Sequence, residues 1–350
     1  MKSKTIIFTL VLFAFMGAGI PVKGDLKLIE IPANWPDPVY DFKKNPLSEK
    51  GIALGRFLFY DPILSRDSTI SCSSCHLSFT AFTHVDHALS HGIEDRIGIR
   101  NSPVLINLAW NKSFMWDGAV NHIEVQPLAP ISNPLEMDES LQQVAKKLSK
   151  NPFYKRLFNE SFGDNEITGE RILLALAQFQ LTLISSNSKY DKVQRGELEF
   201  SEQEAKGYQL FRASCASCHQ EPLFTNGGFA NNGLPVDTIL NDIGRMKISL
   251  NPSDSLKFKV PTLRNIEFSF PYMHDGRFKS LRQVLDHYEK GIQPHPTLNP
   301  EMKSIKKMSK EDKVDLLAFL LTLSDKEFLF NPKFGFPRKN FNPSEGYFNN

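Results

Sequence analysis

Apolar side chains recur every three to four residues in five segments of the chain, a spacing typical of helices with one buried face. These segments cover residues 138–150, 168–185, 201–213, 280–290 and 309–323. The stretches that follow residues 76 and 219 are instead rich in Gly, Asn and Pro, and they predict long ordered loops. The pattern therefore predicts a mainly α fold with long loops that can wrap a flat ligand.

The first residues have the layout of a cleaved secretory signal. A short basic segment at 1–4 precedes an almost uncharged apolar run at 5–20, and polar sequence begins at Lys23. The apolar run is shorter than the roughly 20 residues that span a bilayer comfortably. We therefore expect residues 1–24 to be removed, the mature protein to be periplasmic, and no stable membrane span to remain.

Composition limits the classes of function. The 350 residues include 41 basic and 39 acidic side chains, for a formal charge of +2, and 41% are hydrophobic. A nearly neutral chain without a long basic stripe gives no indication of nucleic-acid binding. This length suggests about two domains, and four cysteines are too few for a disulfide-dense scaffold.

All four cysteines lie in two identical C-x-x-C-H motifs, at residues 72–76 and 215–219. Two thiols at this spacing can each add to a vinyl group of one haem, and the adjacent imidazole can then ligate the iron. A structural zinc site would need four ligands close together, whereas the motifs are 143 positions apart. A thiol redox motif has no need of the histidine. The motifs therefore predict two covalent haem c groups. The predicted attachment residues and proximal ligands are Cys72, Cys75, His76, Cys215, Cys218 and His219.

Similar segments precede the two motifs, which predicts an internal duplication. Residues 47–59 before the first motif resemble residues 200–211 before the second. Ser48 and Ser201 are candidate helix N-caps, and Ser201 with Glu204 fits a capping box. Because the repeat is long, we expect two haem domains rather than a solenoid.

Further repeated segments follow each motif. An Arg-Asn pair beside a proline lies at 100–103 and again at 261–265, and a Met-x-Asp-Gly segment lies at 115–118 and 273–276. The chain is thus divided into four predicted segments. They are a signal peptide at 1–24, an N-terminal haem domain at 25–190, a C-terminal haem domain at 191–332 and a tail at 333–350.

From about residue 47 to residue 323, the chain resembles the bacterial di-haem cytochrome c peroxidases and the related MauG-like di-haem enzymes. The residues that carry the resemblance lie at 54–56, 61–62, 71–76, 81–83, 100–103, 116–118, 136–137, 214–219 and 271–276. The resemblance implies that peroxide reacts at the N-terminal haem. It also implies that the C-terminal haem relays electrons from a small cytochrome c or copper protein.

The resemblance also implies roles for three residues near the N-terminal haem. Glu136 takes the place of the family's catalytic glutamate, and Gln126 that of a distal-pocket glutamine. A distal carboxylate can move a proton between the two oxygens of peroxide while their bond breaks. Glu124 is a nearby competitor that periodicity does not exclude. Trp116 matches the tryptophan that lies between the two haems.

The distal iron ligands are implied less directly. His91 lies about where the family has a switching sixth ligand for the first haem, with His84 and His87 as rivals on the same loop. For the second haem, Tyr288 stands where MauG-like enzymes have their ligand, and Met273 is the alternative. A phenolate favours ferric iron and lowers the potential, whereas a thioether favours ferrous iron.

One calcium ion is also implied, held by Asn101 and by backbone carbonyls near Ser269 and Pro271, because oxygen ligands suit a hard cation. Members of the family are often dimers, so a homodimer stays open. Three functions follow: a peroxidase that reduces hydrogen peroxide to water, a MauG-like enzyme that uses peroxide to oxidise a protein or small molecule, and a di-haem electron carrier. The carrier is disfavoured because it needs neither Gln126 nor Glu136.

Overall fold

The computed structural model describes residues 28–305 and 307–337. The predicted signal peptide and all but the first residues of the predicted tail lie outside this part of the chain. The fold is mainly helical, which confirms the prediction from the apolar pattern. The helices are α1 Glu49–Tyr60, α2 Cys72–Cys75, α3 Leu128–Ser132, α4 Leu141–Ser149, α5 Pro152–Phe162, α6 Gly169–Leu181, α7 Lys189–Gln194, α8 Glu202–Ser214, α9 Met246–Ser249, α10 Leu281–Asp286, α11 Lys310–Leu321 and α12 Lys326–Leu329. A short antiparallel ribbon pairs β1 Phe229–Ala230 with β2 Phe258–Lys259.

The predicted helix starts are confirmed by their caps. The Ser48 hydroxyl accepts a hydrogen bond from the backbone N–H of Gly51 at 2.9 Å, which begins α1. Ser201 and Glu204 form the predicted capping box at the start of α8. Each bond satisfies a backbone donor that the first turn of a helix leaves without a partner.

The segment predicted as one helix at 280–290 differs from the prediction. It is α-helical only as far as Asp286, and a π-helical turn, His287–Gly291, follows it. A π turn inserts an extra residue into the helix and rotates the side chains that it carries. Tyr288 lies in this turn, so its direction is set by a local irregularity that apolar spacing does not reveal.

Two helix pairs form the cores of the duplicated halves, α1 with α6 and α8 with α11. In the first pair, a Cβ at Gly55 would overlap the carbonyl oxygen of Ala175, and in the second a Cβ at Gly207 would overlap that of Asp315. The backbones therefore touch at these glycines. The same contact in both halves supports the predicted internal duplication.

A constant register relates the segments that follow the motifs. Phe114 pairs with Val120 as Tyr272 pairs with Phe278, and Asn107 and Asn265 both adopt left-handed backbone conformations. In these segments, residues of the first half thus correspond to residues 158 positions later in the second. By this register, the partner of Asn265 is Asn107.

The pairing of the two Arg-Asn segments in the sequence analysis is therefore wrong. The true equivalent of Asn101 is Lys259, at the same offset. The short Arg-Asn match gave the wrong alignment because the equivalent positions of the two halves are Asn107 and Asn265. Each has a positive φ, and the backbone N–H of each donates to the end of a core helix pair, at Leu183 and Leu323 respectively.

The two halves exchange backbone hydrogen bonds in a reciprocal way. The N–H of Asn101 donates to the carbonyl of His274 at 2.7 Å, and the N–H of Lys259 donates to the carbonyl of Trp116 at 2.7 Å. In the register, Asn101 is equivalent to Lys259 and Trp116 to His274. The two hydrogen bonds are therefore related by an approximate twofold axis. It places Trp116 at the junction of the halves. Within the described residues, no helix is long and apolar enough to cross a bilayer.

Candidate active site

The first C-x-x-C-H motif forms the short helix α2, and His76 follows directly as its cap. The Nδ1–H of His76 donates to the carbonyl of Phe82 at 2.6 Å, which fixes the ring and leaves Nε2 for a ligand. Burial lowers the pKa of His76 to about 4, so the imidazole is neutral. A neutral imidazole with its second nitrogen held by a carbonyl is the usual form of a metal-ligating histidine.

The second motif repeats this arrangement at the end of α8. The Nδ1 of His219 lies 3.2 Å from the carbonyl oxygen of Phe224 and 3.1 Å from that of Pro261, and it donates between them. Burial lowers the pKa of His219 as well. Phe224 and Phe82 thus serve the same purpose in the two halves, and both histidines are prepared to bind a metal.

The cysteines fit haem attachment better than thiolate chemistry. Burial raises the pKa of the Cys72 thiol to about 12 and that of Cys75 to about 11. Burial also raises the pKa of the Cys215 thiol to about 12. Such thiols are poor nucleophiles at neutral pH. Among the described residues, no group of three or more His, Cys, Asp and Glu side chains could hold a bare metal ion. A covalent haem needs only one protein ligand for iron beside each thiol pair, and each motif supplies it.

A cavity of about 510 Å³ adjoins the first motif and is lined by Cys72, Cys75 and His76. Glu136 and Gln126 line the same cavity. The Nδ2–H of Asn133 donates to Oε1 of Glu136 at 2.8 Å, which orients the carboxyl group. Burial raises the pKa of Glu136. The two residues of the predicted catalytic pair are therefore brought together at the first motif.

Glu124, the competitor of Glu136, has a different environment. Its Oε1 accepts a hydrogen bond from the phenol of Tyr40 at 2.5 Å. It is not among the residues that line the first cavity. The geometry thus favours Glu136 over Glu124 for a part in chemistry at the first motif.

Cavity lining also distinguishes among the three loop histidines. Of His84, His87 and His91, the one that lines the first cavity is His91. The rings of His84 and His87 stack with centroids 5.0 Å apart, and the ring of His91 is tilted against that of His87 with centroids 4.2 Å apart. The Nδ1 of His91 lies 2.7 Å from Oδ1 of Asp95, which leaves Nε2 to face another group.

Trp116 lines the cavities of both motifs. Its indole N–H donates to the carbonyl of Asn101 at 2.8 Å, and its own carbonyl accepts from Lys259. The ring is therefore held from both halves of the molecule. The ring thus lies in a wall shared by the two cavities, and the role that the resemblance implies for it stays a prediction.

The cavity of the second motif is smaller, about 140 Å³, and is lined by Cys215, Cys218 and His219. Tyr288 and Met273 both line it. The Nδ2–H of Asn232 donates to the sulfur of Met273 at 3.4 Å. Burial raises the pKa of the Tyr288 phenol. Both predicted candidates for the distal ligand are thus present, and the choice between them stays a prediction.

The predicted calcium residues also come together. Asn101, Ser269 and Pro271 line one cavity of about 190 Å³ between the halves. The side-chain N–H of Asn101 donates to the carbonyl of Ala88 at 2.9 Å, which turns Oδ1 away from that contact. Calcium itself stays a prediction.

Lys259 was missed by the sequence reasoning. Its side chain is half-buried, it lines both the second cavity and the cavity between the halves, and its Nζ donates to the carbonyl of Ser113 at 3.3 Å. Burial lowers its pKa to about 8. The 158-residue register pairs it with Asn101, and this register was the signal that could have singled it out.

Comparisons with known proteins agree with the geometry. A family model described as di-haem cytochrome c peroxidase matches residues 49–199, and a cytochrome c model matches residues 204–324. The methylamine utilization protein MauG of Methylorubrum extorquens is 38% identical over 311 residues, which cover 85% of each chain. The cytochrome c551 peroxidase of Nitrosomonas europaea is 36% identical over 276 residues, or 77% of this chain and 79% of that protein.

Among solved structures, a MauG-like protein associated with microbial copper homeostasis has a TM-score of 0.78 and 31% identity. The match covers 88% of this chain and 99% of that one. Members of this family carry two haem c groups, and the two motifs described above fit them. From this coverage and identity, the chain belongs to the di-haem cytochrome c peroxidase family.

Proposed function

We propose that this protein reduces hydrogen peroxide to water at its first motif, with electrons that enter through the second. The observation that carries the proposal is the first cavity, where Glu136 and Gln126 line the same space as His76. The second cavity has Tyr288 and Met273 in its wall, so the two sites are equipped differently.

When bound, haem c supplies an iron that binds peroxide and passes electrons to it. The carboxyl group of Glu136 moves the proton. It accepts a proton from the oxygen nearer the first motif and returns it to the departing oxygen, which leaves as water. Because Oε1 is held by Asn133, we assign the proton transfer to Oε2. Two electrons and two protons complete the conversion of one peroxide into two water molecules.

The remaining residues have positioning roles in this proposal. Gln126 supplies a second polar group in the first cavity, with its side-chain N–H 3.8 Å from the sulfur of Met115. Trp116 provides an aromatic ring in the wall common to both cavities and so shortens the path for electrons. His91 is the proposed switching ligand, and Asn101 with Ser269 and Pro271 the proposed calcium site.

The proposed electron donor is a small cytochrome c or copper protein, met in the periplasm after the signal peptide is removed. The oligomeric state that we propose is a homodimer. The proposed attachment residues are Cys72, Cys75, Cys215 and Cys218, with His76 and His219 as proximal ligands.

A second function has its own support. Tyr288 lines the second cavity, and a phenolate at this position would lower the potential of that haem. A low-potential second haem accepts electrons poorly from a small cytochrome. It suits an enzyme that uses peroxide to oxidise another protein or a small molecule, as the resemblance to MauG-like enzymes also suggests.

The deciding experiment measures peroxide-dependent oxidation of a reduced small cytochrome c by the holoprotein, before and after one-electron reduction. We expect rapid turnover, and a requirement for prior reduction would support His91 as a switching ligand. Negligible turnover in both states, with a persistent oxidised haem spectrum, would replace the peroxidase by the MauG-like function. No reaction with peroxide would leave the electron carrier.

A further inference from the structure

Two tyrosines near the second motif share one carboxylate oxygen. The phenols of Tyr190 and Tyr208 each donate to Oε1 of Glu221, both at 2.7 Å. Their ring centroids are 6.3 Å apart. Tyr190 is buried, with 3% of its surface exposed, while Tyr208 on α8 is partly exposed beneath the cation of Arg212. The pair thus runs from the interior toward the surface.

The inner tyrosine is closely connected to the proximal histidine of the second motif. Its ring packs on that of Phe224, with centroids 4.8 Å apart. The carbonyl of Phe224 accepts the hydrogen bond from Nδ1 of His219. Glu221 is only two residues beyond His219 in the chain. One hydrogen bond and one ring contact therefore separate Tyr190 from the residue that would hold the second iron.

Among the described residues of the first half, no pair of tyrosines shares a carboxylate in this way. The segment alignment makes Arg56 equivalent to Tyr208, and Ser78 occupies the position of Glu221 relative to its motif. The guanidinium of Arg56 donates to backbone carbonyls at Pro332 and Gly335 instead. Two phenols on one carboxylate are thus particular to the second half, and a requirement of the shared fold does not explain them.

The chemistry of these groups suits electron loss coupled to proton loss. Burial raises the pKa of Tyr190, and burial raises the pKa of Tyr208 to about 12, so both phenols stay protonated at working pH. A protonated phenol is oxidised readily only when a base takes its proton at the same time. The oxygen of Glu221 that already accepts both hydrogen bonds is such a base.

We propose that Tyr190, Tyr208 and Glu221 form a redox-active group that gives one electron to the centre held by His219 when peroxide has oxidised the protein and no donor is bound. The inference rests on the peroxide chemistry proposed above, which supplies the oxidant. The O–H bond of Tyr190 breaks, its electron goes to the oxidised second centre, and its proton goes to Glu221.

Tyr208 then completes the transfer toward the surface. It gives an electron to the Tyr190 radical, and its own proton passes through the shared carboxylate to the Tyr190 oxygen. The result is a neutral radical on the partly exposed Tyr208. A small one-electron reductant in solution, such as ascorbate, restores it by supplying one electron, while the proton held by Glu221 returns to the Tyr208 oxygen. The group would thereby carry an oxidising equivalent away from the second site.

The test treats holoprotein with peroxide in the absence of a donor, freezes it rapidly and records the EPR spectrum. We expect a free-radical signal that narrows when the protein is made with ring-deuterated tyrosine. The signal should be lost in the double variant Tyr190→Phe/Tyr208→Phe and in Glu221→Gln, which cannot take up a proton. Tyr154→Phe is the matched control, because Tyr154 is a buried tyrosine that donates to a carboxylate, Asp61, in the first half.

An unchanged signal in the double variant, or loss of the signal in Tyr154→Phe, would overturn the assignment, as would absence of a tyrosine signal in the wild type. Mass spectrometry and absorption spectra establish that every variant carries both haems. Cytochrome c oxidation by the wild type separates the two proposals. Turnover without a radical from Tyr190 or Tyr208 removes only this inference. A radical on this pair without turnover removes only the peroxidase function.

Discussion

The two halves of the molecule share their core helix packing and the surroundings of the proximal histidine, and they differ in the distal residues that face each cavity. In both, a glycine brings two core helices into backbone contact, at Gly55 and at Gly207. In both, the proximal histidine donates to the carbonyl of a buried phenylalanine, Phe82 or Phe224. The duplication has therefore preserved the proximal side of each site closely.

The distal sides of the two cavities carry different residues. The first cavity receives Gln126 and Glu136 from the segment around α3, whereas the second receives Tyr288 from the π-helical turn after α10. The first cavity is also the larger of the two. One fold can therefore hold two similar groups, and in the proposed function the distal residues decide which of them meets peroxide.

Loss of the Glu136 carboxylate is the strongest test of this division. In Glu136→Gln the amide keeps the shape of the side chain and removes the proton acceptor. We expect the rate of peroxide turnover to fall about 10²–10⁴-fold, the usual contribution of a positioned acid–base group. Steady-state oxidation of reduced cytochrome c measures the rate, and mass spectrometry verifies that both haems stay attached.

Glu124→Gln is the matched control, since Glu124 bonds Tyr40 outside the first cavity. This variant should keep wild-type turnover. Equal loss of activity in the two variants would mean that overall charge near the first motif matters and that Glu136 has no special role. Unchanged turnover in Glu136→Gln would remove that residue from the mechanism.

The pH dependence of kcat/KM tests the assignment of Glu136 as the proton acceptor. Burial raises the pKa of Glu136 above that of an ordinary glutamate. A protonated carboxyl group cannot accept a proton from peroxide, so kcat/KM should rise with pH through this raised pKa. The acidic limb should therefore lie closer to neutrality than an unperturbed glutamate would give, and it should disappear in Glu136→Gln. A limb that persists in the variant belongs to another group.

Much of this arrangement was readable from sequence because it depends on local rules. The C-x-x-C-H spacing predicted both attachment sites, and helix caps at Ser48 and Ser201 lie where the sequence put them. Glu136 and Gln126 were expected only from family resemblance, since one carboxylate and one amide on a long loop have no distinguishing spacing. Their common cavity is a tertiary feature.

Other features could not be predicted from the sequence because they depend on tertiary contacts or on backbone conformation. Lys259 lies between two apolar residues in sequence, and nothing local indicates that its amine lies at the junction of the halves. The π-helical turn at Tyr288 was read as an ordinary helix, because apolar spacing does not register one inserted residue. The mistaken pairing of Arg-Asn segments arose because a two-letter match carries less information than the left-handed backbone that Asn107 shares with Asn265.

Substitution of Tyr288 tests the distal side of the second half. If its phenolate ligates the iron, Tyr288→Phe should change the absorption spectrum of one haem and raise the potential of that haem alone, because the phenolate favours ferric iron. Met273→Leu is the matched variant, and it should leave both properties unchanged. Spectroelectrochemical titration of the two haems measures the result. The reverse outcome would assign Met273 as the ligand. No change in either variant would mean that neither residue ligates the iron and that both only pack in the cavity wall.

The smallest expected effect concerns what the halves share. Alanine favours a helix over glycine by about 1 kcal/mol, but at Gly55 and Gly207 the new Cβ would overlap a backbone carbonyl of the facing helix. Overpacking typically costs about 1–3 kcal/mol, and backbone cannot rotate aside as a side chain does. We therefore expect Gly55→Ala and Gly207→Ala each to lower the free energy of unfolding by roughly 1–2 kcal/mol.

Urea denaturation of the two holoprotein variants measures this loss, with Gly169→Ala as the control. At Gly169 the new Cβ would lie 3.0 Å from Cβ of Leu141, a side chain on a neighbouring helix, so the helix gain should offset most of the cost. Similar losses at Gly55 and Gly207 would mean that both helix crossings carry comparable stability. A loss in one half only would show that the other crossing can open to admit a methyl group, and the frame itself, as well as the distal residues, would then distinguish the two sites.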